Sequence, residues 1–133
     1  MSLTNAERKA IVAFRIQKAK DTFAEAEGIA TLNYWNAVIN RLYYSCYYIT
    51  STLLIKNNYI AQTHNGVIHL FGMHFIREGI VSKEAGKLYS KLYELRQTGD
   101  YDDLFNLTEV DVKPLIPSVY KFIEELQQLI LAD

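Results

Sequence analysis

The sequence predicts an all-α protein, an antiparallel up-and-down bundle of four to five helices in one domain over residues 1–133. Three observations predict it. Apolar residues return every three or four positions nearly throughout, the period of a helix with one buried face. No segment sustains the two-residue alternation of a strand. Prolines stand only at 114 and 117.

The first helix is expected over about Asn5–Glu27. Thr4 and Glu7 have capping-box spacing, so hydroxyl and carboxylate can each satisfy an unpaired amide at the helix start. Val12, Ile16, Ala19, Phe23 and Ala26 form one stripe, and Gly28 is a natural terminator. The second helix is expected over about Asn33–Lys56. One of its stripes runs Trp35, Val38, Leu42, Cys46, Ile49, Leu53; a second holds Ala37, Arg41, Tyr44, Tyr48, Ser51 and Ile55; a third holds Tyr43, Tyr47, Thr50 and Leu54. A helix apolar on most sides is central to its bundle, or buries one face against a second subunit. The third runs from about Thr63 to Arg77, with Val67, Leu70, Phe71 and Phe75 inward, and Glu78-Gly79 breaks it. The fourth follows Ser82, presents Leu88, Leu92 and Leu95 inward and stops near Gly99, so that Asp100-Tyr101-Asp102-Asp103 reads as a loop. The last begins near Asp111 with Pro114 in its first turn, where a missing amide costs little. Pro117 tightens or kinks its entry. Leu115, Val119, Phe122, Leu126 and Leu129 then form a stripe that Ile116, Ile123 and Ile130 widen.

Composition narrows the function classes. Half of the residues are apolar and 22% charged, which is globular rather than disordered. A net charge of −1 argues against a surface that binds nucleic acid as a whole. The charge is unevenly placed: residues 1–20 carry a net +4 and residues 97–133 a net −6. Two solvated faces of opposite sign explain this, and so does an electrostatic seam for a partner or RNA. The lone Cys46 excludes an intrachain disulfide, and a reducing cytoplasm is the simplest setting. The charged first twenty residues are no signal peptide. The 14 uncharged residues from Leu42 to Ile55 are too few to span a bilayer, which needs about 20.

Few constellations carry chemistry. His64, His69 and His74 are five apart, about 140° around a helix, so they cannot converge on one metal. No metal or other cofactor is expected. Cys46 lies in an apolar stripe and reads as a buried small hydrophobe. There is no Gly-rich phosphate loop or nucleophile elbow. Most of the ten tyrosines fall at core-like positions, where packing is the commoner role. Three polar groups stand out. Arg41 sits with Tyr44 and Tyr48 inside an otherwise apolar helix, and a buried arginine demands a partner. Arg96 shares a stripe with Tyr89 and Tyr93 and precedes Asp100-Tyr101. Thr63-His64-Asn65-Gly66 opens a helix whose free amides can hold an anion. Asp100 paired with Arg41 or Arg96 would merely pin a loop. An arginine-lined pocket would instead hold a phosphate, with tyrosines stacking on a base or sugar.

Asn40-Arg41-Leu42-Tyr43-Tyr44 in a central aromatic helix, then Thr63-His64-Asn65-Gly66-Val67, Phe71, Phe75 and Gly79, then Arg96-Gln97-Thr98-Gly99-Asp100-Tyr101, resemble the small stand-alone branch of the HEPN family. Order and spacing match over about residues 35–101, and the end helices fit in pattern. The resemblance implies an antiparallel bundle, usually homodimeric. It also implies kinship with ribonucleases and toxins, often encoded beside a minimal nucleotidyltransferase that restrains them. Active members carry an Arg followed four to six residues later by a His. No arginine here has such a histidine. Asp100 and Tyr101 stand roughly where it would fall, and an aspartate is anionic at neutral pH and repels a phosphate.

Three functions follow. The first is a binding or regulatory homodimer that engages a nucleotidyltransferase partner, RNA or a nucleotide. The second is a toxin-like variant ribonuclease with a site assembled across the dimer. The third is a structural bundle without a ligand. Candidate ligand-binding residues are Arg41, Tyr44, His64, Arg96, Asp100 and Tyr101.

Overall fold

The computed structural model describes residues 3–101 and 106–132, and side chains for all of these except 98–101. The helices are α1 (Asn5–Ala30), α2 (Trp35–Lys56), α3 (His64–Phe71), α4 (Lys83–Tyr101), α5 (Glu109–Val112) and α6 (Leu115–Leu131). A π-helical turn over Gly72–Ile76 extends α3 into one arm. No strand occurs among the described residues. The fold is the all-α bundle that periodicity predicts.

The first helix is capped as its sequence requires: the Glu7 amide donates to the Thr4 hydroxyl at 3.1 Å, and the Thr4 amide to the Glu7 carboxylate at 2.9 Å. It passes through Gly28 rather than ending there. The chain turns instead at Asn33, whose φ of 64° is the left-handed conformation that asparagine tolerates. Ile16, Ala19, Phe23 and Ala26 are buried, as their spacing predicts.

Centrality explains why α2 is apolar on most sides. It packs against α1, α3, α4, α5 and α6. Val38, Ile39, Leu42, Tyr43, Cys46 and Ile49 are fully enclosed, and each large aliphatic side chain contributes on the order of 2 kcal/mol by leaving water. Cys46 is one of them, and burial pushes its thiol far above the ordinary range, which removes it as a nucleophile.

The expected third helix is one arm with two geometries. The Arg77 amide bonds back five residues to the Gly72 carbonyl at 2.9 Å, a widened turn at the position of lowest helix propensity in the segment. Gly79, at φ 74°, ends the arm. On α4 the enclosed stripe is Ala85, Tyr89 and Leu92; Leu88 and Leu95 are half-buried at its margin, so the inward face is turned one residue from the leucine pattern. The helical backbone also runs through Asp100 to Tyr101, where a loop from Asp100 is expected. Asp102 and Asp103 lie outside the described residues.

The expected last helix is broken. Thr108 and Asp111 form a capping box on α5, and Lys113-Pro114 separates it from α6. Pro117 is the third residue of α6, where its missing amide has no intrahelical acceptor to lose, so it neither kinks nor breaks the helix. Leu115, Val119, Phe122, Ile123, Leu126 and Ile130 seal the core. No helix among the described residues is long and apolar enough to cross a membrane.

Candidate functional site

The candidate residues converge where the middle of α2 faces the start of α3 and the last turns of α4. On α2, Tyr43, Tyr44 and Tyr47 occupy neighbouring positions of one face. Tyr43 is fully buried, whereas Tyr44, Tyr47 and Tyr48 are half-buried. Thr63 caps α3 by accepting from the Gly66 amide at 2.9 Å, which fixes His64 as the first helical residue and turns its ring onto α2. The His64 ring stacks on Tyr47, with centroids 4.4 Å apart and planes 12° apart, and meets the edge of Tyr44 at 5.8 Å.

The Tyr43 hydroxyl lies 2.5 Å from His64 Nδ1. Burial raises the Tyr43 phenol well above its ordinary value, so it keeps its proton. With the phenol as donor to Nδ1, the imidazole proton sits on Nε2. Burial, and next the positive charge of Arg96, lower the His64 pKa below its ordinary 6.5. A position at a helix N-terminus favours the same neutral form. At neutral pH His64 is thus an uncharged N–H donor whose other nitrogen is occupied.

Arg96 approaches from α4. Its Nη2 donates to the Tyr44 hydroxyl at 3.2 Å, and its guanidinium lies 5.2 Å from the ring centroids of both Tyr43 and Tyr44. Arg41 flanks Tyr44 at 5.4 Å. Two guanidinium groups thus share one tyrosine, each holding a cation–π contact. Arg41 is anchored by Asn40 Oδ1, which accepts from Nη2 at 3.0 Å. Its ion pair is with Glu25 of α1, at 3.5 Å and half-exposed; exposed pairs of this kind contribute about 0–1 kcal/mol. The expected pairing with Asp100, and any role of the Tyr101 ring, rest on side chains outside those described.

Arg41, Tyr44, His64 and Arg96 therefore form one cluster. Several of its members are not among the candidate ligand-binding residues that the sequence offers. Tyr43 fixes the tautomer of His64. Tyr47 carries its ring. Tyr93 donates to Asn65 at 3.2 Å and accepts from Gln97 at 2.9 Å, tying α4 to the start of α3. Lys18 of α1 lies 4.7 Å over Tyr48 and continues the row of cations along the tyrosines. The spacing carries the signal: Tyr47 is four residues beyond Tyr43, and Tyr93, three before Arg96, is already on its stripe in the sequence. Chemically the cluster offers two fixed positive charges, a neutral imidazole donor and aromatic faces, a set suited to a phosphate beside a base or sugar. His69 and His74 lie apart from it; His74 stacks on Tyr59 at 4.1 Å. Among the described residues no group of three or more His, Cys, Asp or Glu could hold a metal ion.

Comparison with known proteins agrees with this architecture. A family model described as HEPN domain matches residues 12–129. A Thermotoga maritima protein named as a UPF0332 protein is 31% identical over 124 residues, which cover 93% of this chain and 94% of that one. Two Methanocaldococcus jannaschii proteins are also similar. "Putative toxin MJ0142" is 23% identical over 88% of this chain and 80% of its own length. "Putative toxin MJ0605" is 24% identical over 96% of this chain and 94% of its own length.

Proposed function

The chain belongs to the HEPN domain family, and from that premise we propose that it is a binding and regulatory HEPN module. In this reading it holds a phosphate of RNA or of a nucleotide at the Arg41–Tyr44–His64–Arg96 cluster and acts with a minimal nucleotidyltransferase partner. The observation that carries the reading is the pair of arginines at Tyr44, one bonded to its hydroxyl and both within cation–π distance of its ring. Guanidinium groups so held are pre-organised for a bidentate oxyanion contact. The partner rests on the family resemblance and the uneven charge of the two chain ends.

The same chemistry disfavours cleavage. Attack by a 2′-hydroxyl needs a proton acceptor, a donor to the leaving oxygen and a cation for the phosphate. Arg96 supplies the cation and His64 Nε2–H a donor. Among the described side chains of the cluster the acceptor is lacking while Nδ1 is engaged by Tyr43. Asp100 follows Arg96 by four residues, where active relatives place an imidazole.

A variant ribonuclease is the second reading, favoured by His64 standing beside Arg96 and by the names of the two Methanocaldococcus relatives. The two part in one assay: pure protein is incubated with structured and with single-stranded RNA in the presence of a chelator. Intact RNA is expected. Cleavage lost in both His64→Ala and Arg96→Ala, with the fold retained, would replace the binding reading by the catalytic one. Co-purification of a nucleotidyltransferase from the native host tests the partner.

A further inference from the structure

A second surface shares no residue with the tyrosine cluster; the ring of its floor residue Tyr89 lies 5.9 Å from that of Tyr43. Between the α3–π arm and α4 runs a groove of about 990 Å³. Its floor is aliphatic and aromatic: Ile68 and Ile76 are half-buried, with Phe71 and Tyr89 enclosed beneath them. Its wall is cationic. Lys83, Lys87 and Lys91 recur every four residues, on one face of α4, and Arg77 faces them from the end of the arm. Glu94 is the acid that lines the groove. The described ion pairs involve none of the three lysines. Lys91 is felt by Asp111, whose carboxyl is held below its ordinary value chiefly by the Thr108 amide and hydroxyl.

Two glycines shape this groove. Gly86 lets α4 approach the arm: a Cβ there would stand 3.2 Å from Ile76 Cδ1. Gly72 leaves the floor open, since a Cβ there would meet nothing within 4 Å.

We propose that this groove docks an acidic amphipathic segment of a partner protein, with aliphatic side chains seated over Ile68 and Ile76 and carboxylates against Lys83, Lys87 and Lys91. Charge complementarity selects the sign of the partner, and the apolar floor selects peptide over nucleic acid. RNA has no aliphatic group to place on two isoleucines, and the aromatic rings here are enclosed rather than offered for stacking. A helix laid along such a groove presents anchors every three or four residues, matching the lysine repeat of α4.

The probe is a fluorescein-labelled synthetic peptide in which leucines recur at helical spacing among glutamates, followed by anisotropy against full-length protein. Saturable binding is expected, weakening with salt. A peptide of the same composition with its leucines scattered around the helix is expected to bind about tenfold more weakly. Lys87→Glu with Lys91→Glu should weaken binding to a similar degree. Gly72→Leu plugs the floor at a position with ordinary helical backbone angles, and should abolish binding while leaving the melting temperature near that of wild type. His64→Ala and Arg96→Ala should leave it unchanged, which separates this surface from the phosphate site. Equal binding of both peptides, insensitivity to Gly72→Leu, or displacement by polyuridylate at equal charge concentration would overturn the proposal. So would a groove covered by a second copy, seen as Lys87 protected from acetylation only at concentrations where the protein is dimeric.

Discussion

A single proton decides what His64 can do. Between its depressed folded pKa and the unfolded value near 6.5, the unfolded chain binds more protons than the folded one. The stability that His64 contributes is therefore full above about pH 6.5 and is lost as pH falls from there through the folded value. The melting temperature should drop across that window, and His64→Gln, which cannot titrate, should flatten the drop. An unchanged profile in the variant would assign the acid sensitivity to another group. Tyr43→Phe removes the hydroxyl that occupies Nδ1 and should raise the His64 pKa, measured by imidazole NMR titration. At this scale the sequence exposed Arg41 and Arg96 as odd, because charged groups on aromatic and apolar stripes violate the pattern, and His64 because it opens a helix whose free amides can hold an anion. It could not expose Tyr43 as the residue that fixes a tautomer, because a tyrosine in a tyrosine-rich helix breaks no pattern.

The helices were legible wherever a period or a cap spoke locally. The Thr4–Glu7 box, the helix start near Thr63, the Gly79 stop and the stripes of α1, α2 and α6 all follow from spacing. The misreadings occurred where local signals tied. Gly28 offers a stop, but the helix runs on to Ala30 because Ile29 and Ala30 still pack on the core, and the chain turns at Asn33. On α4, leucines and tyrosines compete for the interior, and Tyr89 is enclosed against Phe71 and Phe122, at 5.9 Å from each ring. The two groove glycines, Gly72 on the arm and Gly86 on α4, make opposite predictions. Gly72→Ala has open space and helical angles, so it should stabilise by about 0.5–1 kcal/mol. Gly86→Val drives into Ile76 and should destabilise by about 1–3 kcal/mol. Thr50 is fully buried in α2, with a hydroxyl that meets no partner among the described residues. Thr50→Val keeps its shape and should be neutral or stabilising by on the order of 1 kcal/mol. Urea melts of the three variants check these signs.

For the whole molecule, the fold class was legible because one central apolar helix and four amphipathic partners leave little choice but a bundle. The function was less so, since a fold hosts many activities and the site must argue its own. The half-buried tyrosines of α2 and the family resemblance together predict a homodimer with α2 at its interface. Sedimentation should give twice the chain mass at micromolar concentration, and Tyr48→Glu should shift it toward one. The central claim is that the cluster around Tyr44 binds a phosphate without cutting the chain that bears it. The most direct measurement is a titration of end-labelled single-stranded RNA, in chelator, with wild type and with Arg96→Gln, reading binding by anisotropy and integrity on a gel. Weak, salt-steep binding that falls about tenfold in the variant is expected, with the RNA intact in both. Equal affinity in the two proteins, or RNA cut by wild type and spared by Arg96→Gln, would contradict it.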